Sequence, residues 1–288
     1  MTRLLAAVSL VATLSLPAVA DPISIVAAEN FYGETAAAIG GDRVSVNNVI
    51  IAPGADPHDF EPPASVARVV ADADIVILNG AGYDHWMEHL LEANAIDGRI
   101  VVNVAELIGV EEGGNPHLWY DPKAMPALAG ALTEVLSEVD PGGAAEFAQR
   151  RDTLLATLAP IEEKVGSLRT DFAGSKVAAT EPVFGTMADA LGLEMTNEAF
   201  QTAIMNETEP AASDIAALED DIRSGRVRVL FYNAQVEDAF TRNLADLAHA
   251  SGVPIVGVTE TQPEGIGFAE WMLDTLDATA KALGDPSS

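Results

Sequence analysis

Histidine is the residue type in this chain best suited to a metal ion, and two of its five copies lie in similar surroundings. His58 ends the segment Asp56-Pro57-His58, and His117 ends the segment Asn115-Pro116-His117. In both segments proline fixes the backbone directly before the imidazole, which lowers the entropy cost of holding a ligand in one position. The residues alone leave two interpretations open: a pair of metal ligands, or two loop histidines without a ligand.

The remaining histidines need no site. His85 and His89 lie four residues apart and would share one face of a helix. Their order differs from the His-Glu-x-x-His pattern of metalloproteases. We expect a solvated helix face rather than a second metal site, while a part in metal transfer stays open. His249 precedes Ala250-Ser251-Gly252, where a positive imidazole would suit the end of a helix.

The longer segments that contain His58 and His117 resemble sequence elements of the metal-specific solute-binding proteins of ABC importers, a family that takes up zinc, manganese or iron. Residues 54–62 match its Gly-x-Asp-Pro-His-x-x-Glu-Pro element, with Ala55 at the variable place. Residues 115–122 match its Asn-Pro-His-x-Trp-x-Asp-Pro element. The likeness extends over essentially the whole chain after residue 20. It implies that both His58 and His117 are metal ligands.

The resemblance also implies two ligands from the second half of the chain. The third position falls at Glu181, where the zinc-type pattern would carry histidine, and the fourth falls at Glu260. Glu264 lies four residues further on and competes for the fourth position. Beside Pro182, Glu181 would also suit the first turn of a helix, where the macrodipole favours an acid.

An argument from the fold supports both carboxylates. Each of the four positions lies beyond the carboxyl end of a predicted strand or in the loop that follows, where open α/β sheets place ligands. Two imidazoles and two carboxylates also balance the charge of a divalent ion, which lowers the cost of burying it. We therefore predict one ion in the cleft between two lobes, with the ligands His58, His117, Glu181 and Glu260.

The identity of the metal depends on two opposing considerations. Oxygen-rich coordination suits manganese, whereas zinc binds most mixed nitrogen and oxygen sites more tightly. Residues 111–114, Glu-Glu-Gly-Gly, lack the histidine-rich loop that the resemblance associates with zinc importers. We expect one divalent ion as the transported ligand, with Mn²⁺ preferred over Zn²⁺ and Fe²⁺ as a third candidate.

No catalytic function is expected. Catalytic zinc keeps one position open for water, and four protein ligands would close a tetrahedral site. The chain has neither a Gly-x-Ser-x-Gly element nor a cysteine nucleophile. The alternatives are a secreted metallohydrolase and an adhesion protein that a metal ion stabilises.

The amino terminus predicts export. Arg3 precedes the apolar stretch from Leu4 to Leu16, and Ala18-Val19-Ala20 supplies the small residues of a cleavage site. We expect residues 1–20 to be a removed signal peptide, because so short an apolar stretch does not span a bilayer. Without cysteine there is no lipid-attachment residue. The expected location is the periplasm, without a lipid anchor.

The net charge of the chain limits the classes of partner that we expect it to bind. Lysine and arginine number 15 against 44 aspartate and glutamate residues, a formal net charge of −29. No basic run could neutralise phosphates, so nucleic acid is not an expected partner. A field of this sign draws cations toward the protein. We expect a monomer that docks on the membrane permease of an ABC importer.

Short runs rich in Val and Ile alternate with amphipathic segments, which predicts an α/β fold with mainly parallel sheets flanked by helices in two lobes. Leucines and other apolar residues between Leu154 and Leu168 recur at spacings of three and four. This spacing predicts one long rigid helix that joins the two lobes. Pro160 should kink this helix or restart it. The predicted divisions are a signal peptide 1–20, an N-terminal lobe 21–141, a connecting helix 142–174 and a C-terminal lobe 175–288.

Overall fold

A computed structural model of the chain describes residues 21–51, 60–206, 208–235 and 239–284. Two features predicted above lie outside these residues. They are the signal peptide, residues 1–20, and the first histidine element with His58, within residues 52–59.

The N-terminal lobe contains a four-stranded parallel sheet in the order β2-β1-β3-β4. The side chains of β3, Ile-Val-Ile-Leu, are all buried, as expected for a parallel strand with both faces covered. The strands are β1 Ile23–Glu29, β2 Val44–Ile50, β3 Ile75–Leu78 and β4 Ile100–Asn103.

The C-terminal lobe repeats this arrangement with a parallel sheet in the order β6-β5-β7-β8. In each lobe the second strand of the chain pairs with one side of the first strand, and the third strand pairs with its other side. This order creates a crevice at the carboxyl ends of the strands, where α/β proteins bind ligands. The strands are β5 Lys176–Ala179, β6 Glu194–Met195, β7 Leu230–Asn233 and β8 Ile255–Val258.

Helices cover the sheets and separate successive strands. Short 3₁₀ turns lie at Gly41–Arg43, Leu118–Tyr120 and Pro182–Phe184. The α-helices of the described residues are α1 Asn30–Gly40, α2 Ala64–Ala71, α3 His85–Ala93, α4 Val104–Ile108, α5 Ala124–Val139, α6 Ala144–Phe172, α7 Gly185–Leu191, α8 Glu198–Met205, α9 Ala212–Arg223, α10 Ala239–Ser251 and α11 Phe268–Leu283. The predicted α/β fold with two parallel sheets is confirmed.

The long helix α6 connects the two sheets. Its 29 residues span about 44 Å at 1.5 Å per residue. The predicted apolar stripe is present, since Leu158, Ile161, Val165 and Leu168 are buried. The helix continues through Pro160 and is not restarted there. None of the helices in the described parts of the chain has the length and apolar character needed to cross a membrane.

A hydrophobic core runs without interruption from one lobe into the other. Phe31 of α1 lies with its ring centroid 5.9 Å from that of Trp271 in α11. Tyr120 of the N-terminal lobe makes an edge contact with Phe184 of the C-terminal lobe at 5.5 Å. These aromatic contacts pack the lobes against each other, so the crevices at the ends of the two sheets face a common cleft.

Candidate metal centre

Three of the four predicted ligands lie in described residues, and the fold brings them to the cleft. His117 directly precedes the 3₁₀ turn Leu118–Tyr120 in the N-terminal lobe. Glu181 follows β5 by two residues, and Glu260 follows β8 by two residues. All three side chains are buried. A loop of the N-terminal lobe and the carboxyl ends of two strands of the C-terminal lobe therefore supply the polar groups of one buried site.

The closest approach across the cleft joins His117 to Glu260. Nε2 of the imidazole lies 3.6 Å from Oε2 of the carboxylate, and both side chains are 1% exposed. Two ligand atoms each about 2.1 Å from a tetrahedral ion lie about 3.4 Å apart. The observed spacing thus fits two donor atoms that share one metal ion.

Asn115 determines which nitrogen of His117 faces the cleft. Its Nδ2 donates to the carbonyl of Pro182 at 2.8 Å, which fixes the orientation of the amide. Its Oδ1 then accepts from the backbone N–H of His117 at 3.1 Å and lies 2.8 Å from His117 Nδ1. Because an amide oxygen is only an acceptor, Nδ1 carries the proton. Nε2 is left with a lone pair suited to a metal ion.

The two carboxylates of the C-terminal lobe are joined by one amide. Asn233 Nδ2 donates to Oε1 of Glu260 at 2.8 Å and also to Oε2 of Glu181. The orientation of this amide is fixed as well, because Asn233 Oδ1 accepts from the backbone N–H of Gln235 at 3.0 Å. Two carboxyl groups are therefore held side by side through a shared donor.

Strand register explains why Asn233 lies between these carboxylates. Ala179 of β5 pairs with Phe231 of β7, so two residues further on Glu181 comes level with Asn233. Asn233 itself pairs with Val258 of β8, two residues before Glu260. The central strand of the three places its last side chain between the acids that follow its neighbours.

Further hydrogen bonds fix Glu260 in the cleft. Oε1 of Gln235 accepts from the backbone N–H of Glu260 and, at 3.1 Å, from that of Thr261. The hydroxyl of Tyr83, from the N-terminal lobe, donates to Oε2 of Glu260 at 3.2 Å. Burial, followed by the nearby charge of Glu260, raises the pKa of Tyr83 well above its usual value. Tyr83 therefore stays a protonated donor at neutral pH.

The sequence left two alternatives open: Glu264 as the fourth ligand, and Glu181 as a helix-start residue. Glu264 is exposed, whereas Glu260 is buried and faces His117. Glu181 precedes the 3₁₀ turn Pro182–Phe184, but its side chain makes no capping hydrogen bond to it. The interpretation of this acid as a helix-start residue alone does not account for its contact with Asn233.

The other histidines lie on the surface. His85 and His89 are exposed on α3, and His85 Nδ1 lies 3.0 Å from Oε2 of Glu88. His249 is exposed in the last turn of α10. Within the described ranges, no three His, Asp or Glu side chains approach closely enough to form a complete metal site. His58 belongs to residues 52–59, outside those ranges.

Behind the cleft, the N-terminal lobe buries two more acids. Asp84 accepts from the backbone N–H groups of Asn79 at 2.7 Å and Gly80 at 2.9 Å. Burial raises its pKa to about 6 in spite of these bonds. Glu29, at the end of β1, is 1% exposed, and burial together with the charge of Asp84 raises its pKa well above the usual value. Burial thus shifts both groups toward their neutral forms.

Sequence reasoning did not single out Asn233, Tyr83 or the amide role of Asn115. Asn233 carried a usable signal, because it is a polar residue that ends an apolar strand at the ligand-binding edge of a sheet. No signal in the sequence pointed to Tyr83, because its contact with Glu260 joins residues of different lobes. Asn115 lies in the second histidine element, yet its bond to Pro182 depends on the packing of the lobes.

Two parallel α/β lobes, a long connecting helix and buried polar groups from both lobes define a two-lobed solute-binding protein. The family model described as zinc-uptake complex component A, periplasmic, matches residues 25–282. The chain belongs to this family, the metal-specific solute-binding proteins of ABC importers.

Individual relatives agree with this assignment. The manganese-binding lipoprotein MntA of Halalkalibacterium halodurans is 25% identical over 263 residues, which cover 89% of this chain and 85% of the relative. The periplasmic zinc-binding protein TroA of Treponema pallidum has a similar fold, with a TM-score of 0.74 at 23% identity over 91% of this chain and 99% of TroA. FpvC of Pseudomonas aeruginosa, solved in complex with Mn²⁺, gives a TM-score of 0.77 at 20% identity over 91% of this chain and 98% of FpvC.

Proposed function

We propose that this protein captures one divalent transition-metal ion between its lobes and delivers it to the permease of an ABC importer. The ion is the transported ligand rather than a resident cofactor. The proposed ligands are His58, His117, Glu181 and Glu260.

The observation that carries this proposal is the pair formed by His117 and Glu260. Two buried donor atoms from different lobes lie 3.6 Å apart. Asn115 orients the lone pair of His117 Nε2 toward Glu260, and Asn233 holds Glu181 beside Glu260. Such an arrangement of hydrogen-bonded ligands is typical of metal sites, where outer partners orient the ligands.

Charge supports a divalent cargo. Two buried carboxylates beside each other repel, and the repulsion is relieved when an ion of charge +2 binds. With two neutral imidazoles, the complete set has no net charge after the ion enters. Reversible capture also requires that the lobes admit the ion, and their location on opposite sides of the site allows this.

We propose manganese rather than zinc as the cargo, with iron as a third candidate. Oxygen donors make up half of the ligand set, and they suit manganese better than thiolate or imidazole alone. MntA is named for manganese and TroA for zinc, so the names of the relatives support both metals. Elemental analysis of protein purified from its native periplasm, with competition between Mn²⁺ and Zn²⁺ on the same sample, distinguishes the two. A native sample that contains only zinc would contradict the manganese assignment.

The protein is proposed to act in the periplasm as a monomer without a lipid anchor, and without catalysis. A metallohydrolase would need an open position for water on the ion. An adhesion protein stabilised by metal would retain the ion. Reversible uptake without hydrolysis of ester, peptide or phosphate substrates supports transport, whereas turnover of any of them would contradict it.

The site itself is tested by Glu181→Ala. We expect metal affinity to fall by about 100-fold or more, because the variant leaves the buried ion with too little negative charge. Titration calorimetry with Mn²⁺ and with Zn²⁺ measures the change. Unchanged affinity for both ions would remove Glu181 from the site. Glu194→Ala, at an exposed residue of β6, is the matched control and should bind as the wild type does.

A further inference from the structure

Asn233 lies outside the ligand set and contacts both of its carboxylates. Asn233 is 1% exposed, and four hydrogen bonds fix its position. Its backbone N–H donates to Thr180 Oγ1 at 3.0 Å, its Oδ1 accepts from the N–H of Gln235 at 3.0 Å, and its Nδ2 donates to both acids. This side chain is therefore held in one orientation.

The amide makes the two oxygens of Glu260 unequal. Oε1 accepts from Asn233 at 2.8 Å, whereas Oε2 accepts from Tyr83 at 3.2 Å and is the oxygen that lies 3.6 Å from His117 Nε2. In Glu181, Oε2 is likewise the oxygen bonded to Asn233. Hydrogen bonds to a charged acceptor are about twice as strong as neutral ones. Turning either carboxylate to offer both oxygens to an ion would break such a bond.

The number of oxygens offered decides how many donor atoms surround the ion. Glu181 and Glu260 together supply two donor atoms when each offers one oxygen, and four when each offers both. Zinc in protein sites is almost always four-coordinate, whereas manganese suits octahedral surroundings rich in oxygen. The type of donor atom favours manganese, and a low coordination number favours zinc.

We propose that Asn233 is a specificity-determining positioning residue, which holds Glu181 and Glu260 as one-oxygen ligands and so limits the preference of the site for manganese over zinc. This inference rests on the proposed function, because it takes both carboxylates as ligands. Asn233 itself does not contact the ion. Its effect is on the ratio of the two affinities rather than on the existence of the site.

The test compares dissociation constants for Mn²⁺ and Zn²⁺ in the full-length mature protein, its Asn233→Ala variant and its Asn233→Leu variant. Leucine fills the volume of asparagine without donating a hydrogen bond. In both variants we expect the ratio of affinities to shift toward manganese by about tenfold, the lower end of the effect of losing an outer partner of a metal ligand.

A spectroscopic readout separates this role from a structural one. Co²⁺ absorbs strongly in the visible range in tetrahedral sites and weakly in six-coordinate ones. We expect the band of the wild type to weaken in both Asn233 variants as the coordination number rises. Asn197→Ala is the matched control, since Asn197 is a buried asparagine of the same lobe that bonds to Ala179 and to Gln201 rather than to either carboxylate. It should change neither the ratio nor the band.

The outcomes are distinct. If the affinities for both ions fall in parallel, or the ratio shifts toward zinc, Asn233 is a structural residue and the inference is wrong while the proposed function stands. If Glu181→Gln and Glu260→Gln bind both ions as tightly as the wild type, the carboxylates are not ligands and the proposed function itself fails, whatever the Asn233 variants do.

Discussion

His117 Nε2 and Glu260 Oε2 lie 3.6 Å apart across the cleft, although the two residues belong to different lobes and follow different strands. Asn115 orients the imidazole, Asn233 orients the carboxylate, and Gln235 accepts from the backbone N–H of Glu260. Hydrogen bonds thus hold the donor atom of each lobe in one position. The relative position of the lobes sets the remaining distance, so metal affinity should respond both to the ligands and to the packing between the lobes.

Glu260 is expected to be essential to metal binding, and its neighbour Glu264 is not. Glu260→Gln keeps the shape of the side chain and removes its charge, so affinity for Mn²⁺ should fall by at least about 100-fold. Glu264→Gln makes the same change at an exposed position and should have no effect. Titration calorimetry on both variants checks this. Equal loss in the two, or loss only in Glu264→Gln, would contradict the assignment of the fourth ligand.

Asn115 is expected to act through the tautomer of His117. Asn115→Ala removes the acceptor for the Nδ1 proton and should weaken metal binding by about 10-fold to 100-fold. Asn115→Asp retains an acceptor for that proton, although it adds a negative charge and loses the bond to the Pro182 carbonyl, so it should bind more tightly than Asn115→Ala.

The tautomer can be followed directly. Nitrogen NMR shifts of His117 in the metal-free protein should report a proton on Nδ1 in the wild type and in Asn115→Asp. In Asn115→Ala a mixture of both tautomers is expected. A single Nδ1-protonated form in all three proteins would show that Asn115 does not set the tautomer.

Stability of the metal-free protein should depend on pH through Asp84. Burial raises the folded-state pKa of this acid to about 6, above its ordinary value of 3.8. Its contribution to stability is therefore fully present below about pH 4 and is lost as pH rises through 6, at a cost of about 3 kcal/mol at 1.36 kcal/mol per unit. Glu29, whose pKa is also raised by burial, acts in the same direction.

Urea unfolding of the chelator-treated protein between pH 4 and 7 measures this dependence. Relative to Asp84→Asn, the wild type should lose stability as pH rises across that range. Asp72→Asn, at an exposed residue near the same sheet, should parallel the wild type. A difference between wild type and Asp84→Asn that is constant with pH would show that Asp84 titrates normally.

The aromatic contacts between the lobes should make the protein unfold as one unit. Phe184 is fully buried, stacks on Phe231 at 4.3 Å and contacts Tyr120 of the other lobe at 5.5 Å. Phe184→Ala should lower the free energy of unfolding by about 3–5 kcal/mol. Leu107→Ala, at an exposed leucine, should have little effect.

Calorimetry tests both parts of this expectation. The wild type should show a single transition because its core is continuous. Two separate transitions, with only the later one shifted by Phe184→Ala, would show that the lobes unfold independently.

Much of the fold could be predicted because its signals are local. The runs that became β1 and β3 are continuous and rich in Val and Ile, so the alternation of strands and helices could be recognised from the sequence. The stripe from Leu158 to Leu168 has helical spacing along its whole length. Pro160 was less predictable, because tertiary packing on both sides of it holds the helix together where local preference alone would interrupt it.

The features of the site also divide into those that the sequence predicts and those that depend on the tertiary structure. The sequence by itself determined the metal-binding class, because its two proline-histidine elements resemble those of a known family, and this resemblance needs no knowledge of the fold. It left Glu260 and Glu264 in competition, and it gave no sign that Asn233 joins two acids. Only the tertiary structure decided these points, because strand register and the approach of the lobes bring together residues that have no local relation in the chain.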